Sequence, residues 1–143
     1  MLSVNPYLNF NGNTEEAFNF YKSVFGGEFI ALQRFKDTPE GSKVSDKDKE
    51  KIMHISLPIG KGNILMATDA PESMGQEPLV FGNNFHLSLE TETDAEADKI
   101  FKALAAGGKI KLPLQKMFWG AYFGMLQDKF GVQWMVSHNS QQN

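Results

Sequence analysis

From Phe85 to Glu90 the apolar residues Phe85, Leu87 and Leu89 alternate with His86, Ser88 and Glu90, the two-residue period of a strand with one buried face. The period then lengthens. Ala97, Ile100, Phe101 and Leu104 fall at i, i+3, i+4 and i+7, along one side of a helix. Thr93 followed three residues later by Glu96 has the form of a capping box. Gly107-Gly108 supplies the left-handed conformation that stops a helix. The same signals occur once before, in the same order. Val4, Pro6, Leu8 and Phe10 alternate with Asn5, Tyr7 and Asn9; Asn13 and Glu16 make the cap. Ala17, Phe20, Tyr21 and Val24 make the stripe, and Gly26-Gly27 the stop. The shared order of strand, cap, stripe and stop identifies two copies of one module.

Each copy continues with three further strands. In the first, Glu28 to Phe35 reads as a strand, and Ile52–Ile59 with Asn63–Thr68 flank Gly60-Lys61-Gly62 as a hairpin. Between them, 37–51 is polar and broken by Pro39 and Gly41, which predicts a solvated loop, with a lid over a binding cleft as the alternative. In the second copy Lys109–Lys116 is a strand whose Pro113 points to an edge or a bulge. Ala121–Leu126 and Val132–Val136 flank Asp128–Gly131 as a second hairpin. Matching Gly62 with Gly131 pairs Met66 with Met135 and His54 with Phe123. The fold class is therefore α+β: two βαβββ modules in tandem, each a curved, mostly antiparallel sheet with a helix on one face, forming a cleft. Residues 1–72 make the first module, 73–83 a linker, 84–138 the second module and 139–143 a tail, together one structural domain.

Composition removes several functions. A net charge of -3 with Arg34 as the single arginine argues against a nucleic-acid surface. The absence of cysteine excludes disulfides, thiolate zinc sites and a cysteine nucleophile. No stretch is apolar enough to span a bilayer and the start carries no basic leader, so the expected location is the cytoplasm. Gly60-Lys61-Gly62 lies between strands, the wrong context for a phosphate loop.

If the apolar sets of the first and fifth strands face the helices, the opposite sets line the cleft. They include Asn5, Tyr7, His86, Ser88 and Glu90; the eighth strand adds Gln133, Met135 and Ser137, and Met66 follows by the internal match. His54 lies with Ser56 on the polar face of its strand, and His86 with His54 or Glu90 forms a candidate acid–base pair. Such a mixture of imidazole, hydroxyl, amide and thioether suits a small organic molecule. Asp69 is read as a turn residue, and Phe118, Trp119, Tyr122 and Phe123 as core before cleft wall or dimer contact. His138 is read as part of the polar tail, without a role.

The opening Pro6-Tyr-Leu-Asn-Phe-Asn-Gly-Asn-Thr-Glu-Glu-Ala-Phe-Asn-Phe-Tyr21 with Phe25-Gly-Gly-Glu28, and the ending Phe118-Trp-Gly-Ala-Tyr-Phe-Gly124 with Asp128-Lys-Phe-Gly-Val-Gln-Trp134, resemble PhnB-like proteins of the vicinal oxygen chelate superfamily. That superfamily includes glyoxalase I, bleomycin-resistance proteins and extradiol dioxygenases. The resemblance implies paired modules, usually in a homodimer. It implies either sequestration of a small organic ligand or a metal-dependent lyase, isomerase or dioxygenase. The four metal positions of metal-dependent relatives fall on Asn5, Met66, His86 and Met135, with Tyr7 as the other register for the first. Only His86 is an ordinary ligand of a hard divalent ion, so the expectation is a ligand cleft without a typical metal centre or other cofactor. Whether the chain is an enzyme stays open at this stage. A ubiquinone methyltransferase label, which some members carry, finds no glycine-rich strand-to-helix turn for S-adenosylmethionine.

Overall fold

Leu8 and Phe10 are buried while Tyr7 and Asn9 are exposed, so the first strand has the predicted parity over a shorter span, β1 at Tyr7–Phe10. Val4, expected on the buried side, is 86% exposed and precedes the strand. The computed structural model describes residues 2–70 and 77–139. The chain separates into two units, Met1–Val80 and Phe81–Asn143. That boundary lies in the segment 73–83 read as a linker; residues 73–76 of it and 140–143 of the tail lie outside the described residues.

In the first unit, α1 spans Thr14–Phe25 and β2 spans Ala31–Arg34; β3, Ile52–Ile59, and β4, Asn63–Asp69, form the predicted hairpin. The sheet order is β1-β4-β3-β2, with β1 parallel to β4 and the other pairs antiparallel. The buried face of α1 is Thr14, Ala17, Phe18 and Tyr21. It is rotated from the predicted stripe, because Thr14 is drawn inward by the carboxylate of Asp69. Phe10, Ile55, Leu57, Leu65 and Ala67, all fully buried, form the core beneath it.

The two helix starts differ in kind. Thr93 caps the second helix as predicted, its hydroxyl accepting the Glu96 amide at 3.0 Å. Asn13, predicted to cap the first, makes no side-chain cap bond. Instead Asp69 Oδ1 accepts the amides of Gly12 and Thr14 and the Thr14 hydroxyl at 2.9, 3.1 and 2.7 Å. Its Oδ2 accepts the Ile52 amide at 2.8 Å. Asp69 is thus a buried tie between β4, β3 and the start of α1, a larger task than the turn predicted for it.

The segment 37–51 also departs from expectation. It folds into three short 3-10 turns, Phe35–Asp37, Pro39–Lys43 and Asp46–Asp48. Phe35, Val44 and Gly41 are buried, and Asp48 pairs with Lys51 at 2.7 Å. A Cβ on Gly41 would sit 2.6 Å from the Phe35 carbonyl oxygen, so glycine permits the close approach.

In the second unit β5 spans Leu87–Glu90, α2 Asp94–Ala105, β6 Lys109–Lys116, β7 Tyr122–Gln127 and β8 Gln133–His138. The order β5-β8-β7-β6 repeats that of the first sheet, with β5 parallel to β8. β6 is an edge strand, and its register shifts between Ile110 and Leu112 and again between Leu112 and Gln115, the second shift spanning Pro113, which has no N–H to give. Ala97, Phe101 and Leu104 of α2 pack over Trp134, Val136 and Leu126, all buried. Phe85, expected inside, is 65% exposed and lies before β5. Each unit is thus a four-stranded mixed sheet with one helix on one face, and the fold class is α+β.

Candidate functional site

With the helix side of each sheet assigned to its core, strand parity leaves a second, helix-free face. In the first unit β1 contributes Tyr7 and Asn9, β4 Met66 and Thr68, β3 His54 and Ser56, and β2 Gln33. The register puts Tyr7 beside Met66, Met66 beside Ser56, and His54 beside Gln33. Three of these side chains are bonded in series. The Tyr7 hydroxyl lies 3.3 Å from His54 Nδ1, and His54 Nε2 lies 2.8 Å from Ser56 Oγ. The Tyr7 and His54 rings are tilted, with centroids 5.7 Å apart. Burial holds the Tyr7 phenol above its ordinary pKa, and a hydrogen bond with Thr68 partly offsets it. The phenol is therefore protonated across the physiological range.

Asn5 falls outside this series. Its Oδ1 accepts the Ile64 amide at 3.0 Å, extending the β1–β4 ladder where β1 has not yet begun. The register question raised by the sequence has a definite form here. Tyr7 pairs with Met66 and Ser88 with Met135, so Tyr7 and Ser88 are equivalent between units, and Asn5 corresponds to His86.

In the second unit Ser88 lies beside Met135, Met135 beside Met125, and Ser137 beside Phe123. His86 is half-buried and immediately precedes β5. Continuing the parity of the strand backwards assigns it to the side of Ser88. Glu90 is on that side too, but four residues of strand set it about 13 Å from His86 at ~3.3 Å per residue, beyond direct proton transfer. Its carboxylate accepts the Asn139 amide at 2.8 Å. Gln133 is buried on the same face, taking a bond from Lys111 at 2.6 Å and giving one to the Gly82 carbonyl at 2.8 Å. The aromatic cluster read as core is split. Phe118 is 98% and Trp119 51% exposed, whereas Tyr122 turns to the helix side and donates to Asp98 at 2.5 Å. Phe123 stays on the helix-free face, its ring 6.1 Å from that of Trp119.

His138 is the last residue of β8, not tail. Its Nδ1 meets Asp94 Oδ1 at 2.7 Å, and Lys116 Nζ lies 3.4 Å from Asp94 Oδ2. The bond to His138, with help from Lys116, lowers the Asp94 pKa, against a smaller opposing effect of burial.

The positions to which the family resemblance assigns a metal do not fit one. The Asn5 amide oxygen is already bonded to a backbone N–H. Met66 and Met135 offer thioethers, which suit soft ions, and one imidazole remains. Among the described residues no three His, Asp or Glu side chains are grouped as ligands. A charged crevice of about 450 Å³ lies elsewhere, lined by Gly12, Glu15, Arg34, Glu50, Lys51 and Asp69 among others. Its charges are already paired: Arg34 holds Glu15 through both nitrogens at 3.0 and 2.7 Å, which lowers the Glu15 pKa, Lys51 holds Asp48, and Glu50 holds Lys36. It reads as the brace between α1, β2 and the 3-10 turns.

Sequence reasoning had His54 and Ser56 on one face and Tyr7 in the lining. It missed that Tyr7 and His54 meet, since only the parallel pairing of β1 with β4 brings residues 47 positions apart together.

A family model for the Glyoxalase/Bleomycin resistance protein/Dioxygenase superfamily matches residues 3–136. Protein YjdN of Escherichia coli strain K12 is 30% identical, over 99% of this chain and 98% of its own. Among solved structures, protein PA1353 of Pseudomonas aeruginosa is 42% identical with a TM-score of 0.86, covering 97% of this chain and 98% of that one. The PhnB protein of Bacillus cereus is 28% identical with a TM-score of 0.76, covering 96% and 99%.

Proposed function

Because the chain belongs to the glyoxalase/bleomycin resistance/dioxygenase superfamily and is PhnB-like, we propose that it binds a small organic molecule on the helix-free faces of its sheets, without a typical metal centre. One observation carries this reading: hydroxyl, imidazole and hydroxyl are bonded in series at Tyr7, His54 and Ser56, beside the thioether of Met66. A few fixed polar groups set among softer surface orient a small ligand. Ser88, Phe123 and Met135 supply the corresponding surface of the second unit. A thermal-shift screen with a broad small-molecule library tests it; hits weakened by His54→Ala are expected, and no hit at all would sink the reading.

The bonded series also favours a second reading, a metal-free acid–base enzyme in which His54 exchanges protons through Tyr7, in place of the pair His86 and Glu90. Turnover of a screened hit that disappears in both Tyr7→Phe and His54→Gln supports it. Turnover unchanged in both removes it. A metal-dependent lyase, isomerase or dioxygenase is the reading the donor set disfavours; elemental analysis of untagged protein is expected to find less than stoichiometric Zn, Ni, Mn or Fe. We further propose a cytoplasmic homodimer, for which Val4, Ile30, Phe85 and Phe118 offer exposed apolar surface. Sedimentation at equilibrium distinguishes it from a monomer.

A further inference from the structure

The helix-free face of the first unit has a property that restricts the chemistry of its ligand: Tyr7, Asn9, Gln33, His54, Ser56, Met66 and Thr68 include no acid, lysine or arginine. The nearby ions are committed to the helix side, where Arg34 holds Glu15 and Asp69 holds the helix start. An ionised ligand laid on this face would lose water and gain no permanent countercharge, the His54 imidazole having both nitrogens committed to Tyr7 and Ser56, which is costly. A neutral ligand carries no such penalty.

The hydrogen bonds add a second restriction. A neutral imidazole has one donor and one acceptor nitrogen. When His54 Nε2 donates to Ser56, Nδ1 accepts from the Tyr7 hydroxyl, and the Tyr7 oxygen has a lone pair to offer beside its bond with Thr68. When the series runs the other way, Ser56 donates to Nε2, Nδ1 donates to Tyr7, and the Tyr7 proton points outward. Serine can serve in both directions, so both arrangements satisfy the imidazole. Tyr7, 47% exposed and at the outer end of the series, can thus meet either an acceptor or a donor. Met66, its neighbour across the β1–β4 pair, offers a polarizable surface of the kind that receives a ring edge or face.

Resting on the ligand-binding reading above, we propose that Tyr7 is the recognition group of this site and that the ligand is an uncharged small molecule carrying a carbonyl or phenolic oxygen beside an apolar body. The oxygen meets the Tyr7 hydroxyl, the body lies against Met66, and the His54–Ser56 pair sets the direction of the hydrogen bond. Neither a carboxylate nor a plain hydrocarbon matches the site. A carboxylate finds no permanent countercharge, and a hydrocarbon leaves the Tyr7 hydroxyl without its water and without a replacement.

Four ring-matched probes test this: acetophenone, phenol, benzoate and toluene, titrated into the full chain and followed by backbone amide shifts. Acetophenone and phenol are expected to move the amides of Tyr7, His54, Ser56 and Met66, and to bind about tenfold or more tighter than benzoate or toluene. Tyr7→Phe, checked for fold by its amide spectrum, is expected to weaken both by about two- to tenfold, the loss of one hydrogen bond. Ser56→Ala takes away the partner that serves both directions of the series and is expected to separate the two probes, weakening one more than the other. Equal or tighter binding of benzoate overturns the proposal, as do affinities untouched by Tyr7→Phe. If library compounds bind away from these four amides, the proposal falls while the ligand-binding reading stands; if no compound binds anywhere, both fall.

Discussion

The two units solve one construction problem with opposite chemistry. In each, the strand that ends the unit's hairpin must be joined to the start of the helix. In the first unit the strand end is Asp69, and its carboxylate accepts from the helix residue Thr14 and from two backbone amides around it. In the second the equivalent strand end, three residues past the matching methionine, is His138, and the helix residue Asp94 supplies the carboxylate. Donor and acceptor have changed places. The surroundings differ as well: Asp69 is 2% exposed, whereas the Asp94 side chain is 46% exposed and also meets Lys116. A buried carboxylate with four partners is a structural fixture. An exposed carboxylate facing an imidazole and an ammonium is an electrostatic contact that solvent weakens and acid removes.

The sharpest test of that contrast is Asp69→Ala. It strips the acceptor from three backbone amides and the Thr14 hydroxyl, so urea unfolding is expected to show a loss of about 3–5 kcal/mol. A loss under about 1 kcal/mol would mean that water replaces the carboxylate and the fixture is nothing of the kind.

Next in size is Gly124→Ala, which addresses the packing of the second unit only. A Cβ there would lie 2.8 Å from a Phe101 ring carbon, 2.9 Å from the Leu112 carbonyl oxygen and 3.0 Å from the Leu114 nitrogen. Two of the three neighbours are backbone and cannot swing aside. Overpacking of this kind costs about 1–3 kcal/mol, read as a lower thermal midpoint.

The helix caps give a paired experiment. Thr93→Ala removes a side-chain cap and is expected to cost about 1 kcal/mol. Asn13→Ala, at the matching position, removes none and is expected to change the denaturation midpoint little. Equal losses would break the distinction between a local and a tertiary cap.

The smallest effect is the acid limb of stability. Asp94 has a lowered folded-state pKa, so its contribution is present above the ordinary carboxylate range and is lost as pH falls through the lowered value. Asp94→Asn is expected to flatten the stability profile below about pH 4, where the wild-type carboxylate takes up its proton. Glu15, lowered by Arg34, remains to bend the profile in the same direction. An unchanged acid limb in Asp94→Asn would show that the His138 contact carries no weight in solution.

Much of this molecule was legible in the order of its residues. Alternation in β1 and β5, the i, i+4, i+7 spacing of Ala97, Phe101 and Leu104, the Thr93 cap and the shift across Pro113 all follow from contacts within a few residues of chain. Such contacts obey periods that can be read directly. So does the inference that His54 and Ser56 share a face, two positions apart on one strand. Three other features were settled only by tertiary structure. Asn13 had the right type for a cap and lost the task to Asp69, because a carboxylate delivered from β4 satisfies three donors at once. The turns of 37–51 bury Val44 and Gly41 although their composition reads as solvated, because Gly41 permits a close backbone approach that no pattern announces. The Tyr7–His54 contact depends on a parallel pairing between chain segments some 60 residues apart, and no period along the chain encodes the distance between strands that are neighbours only in space.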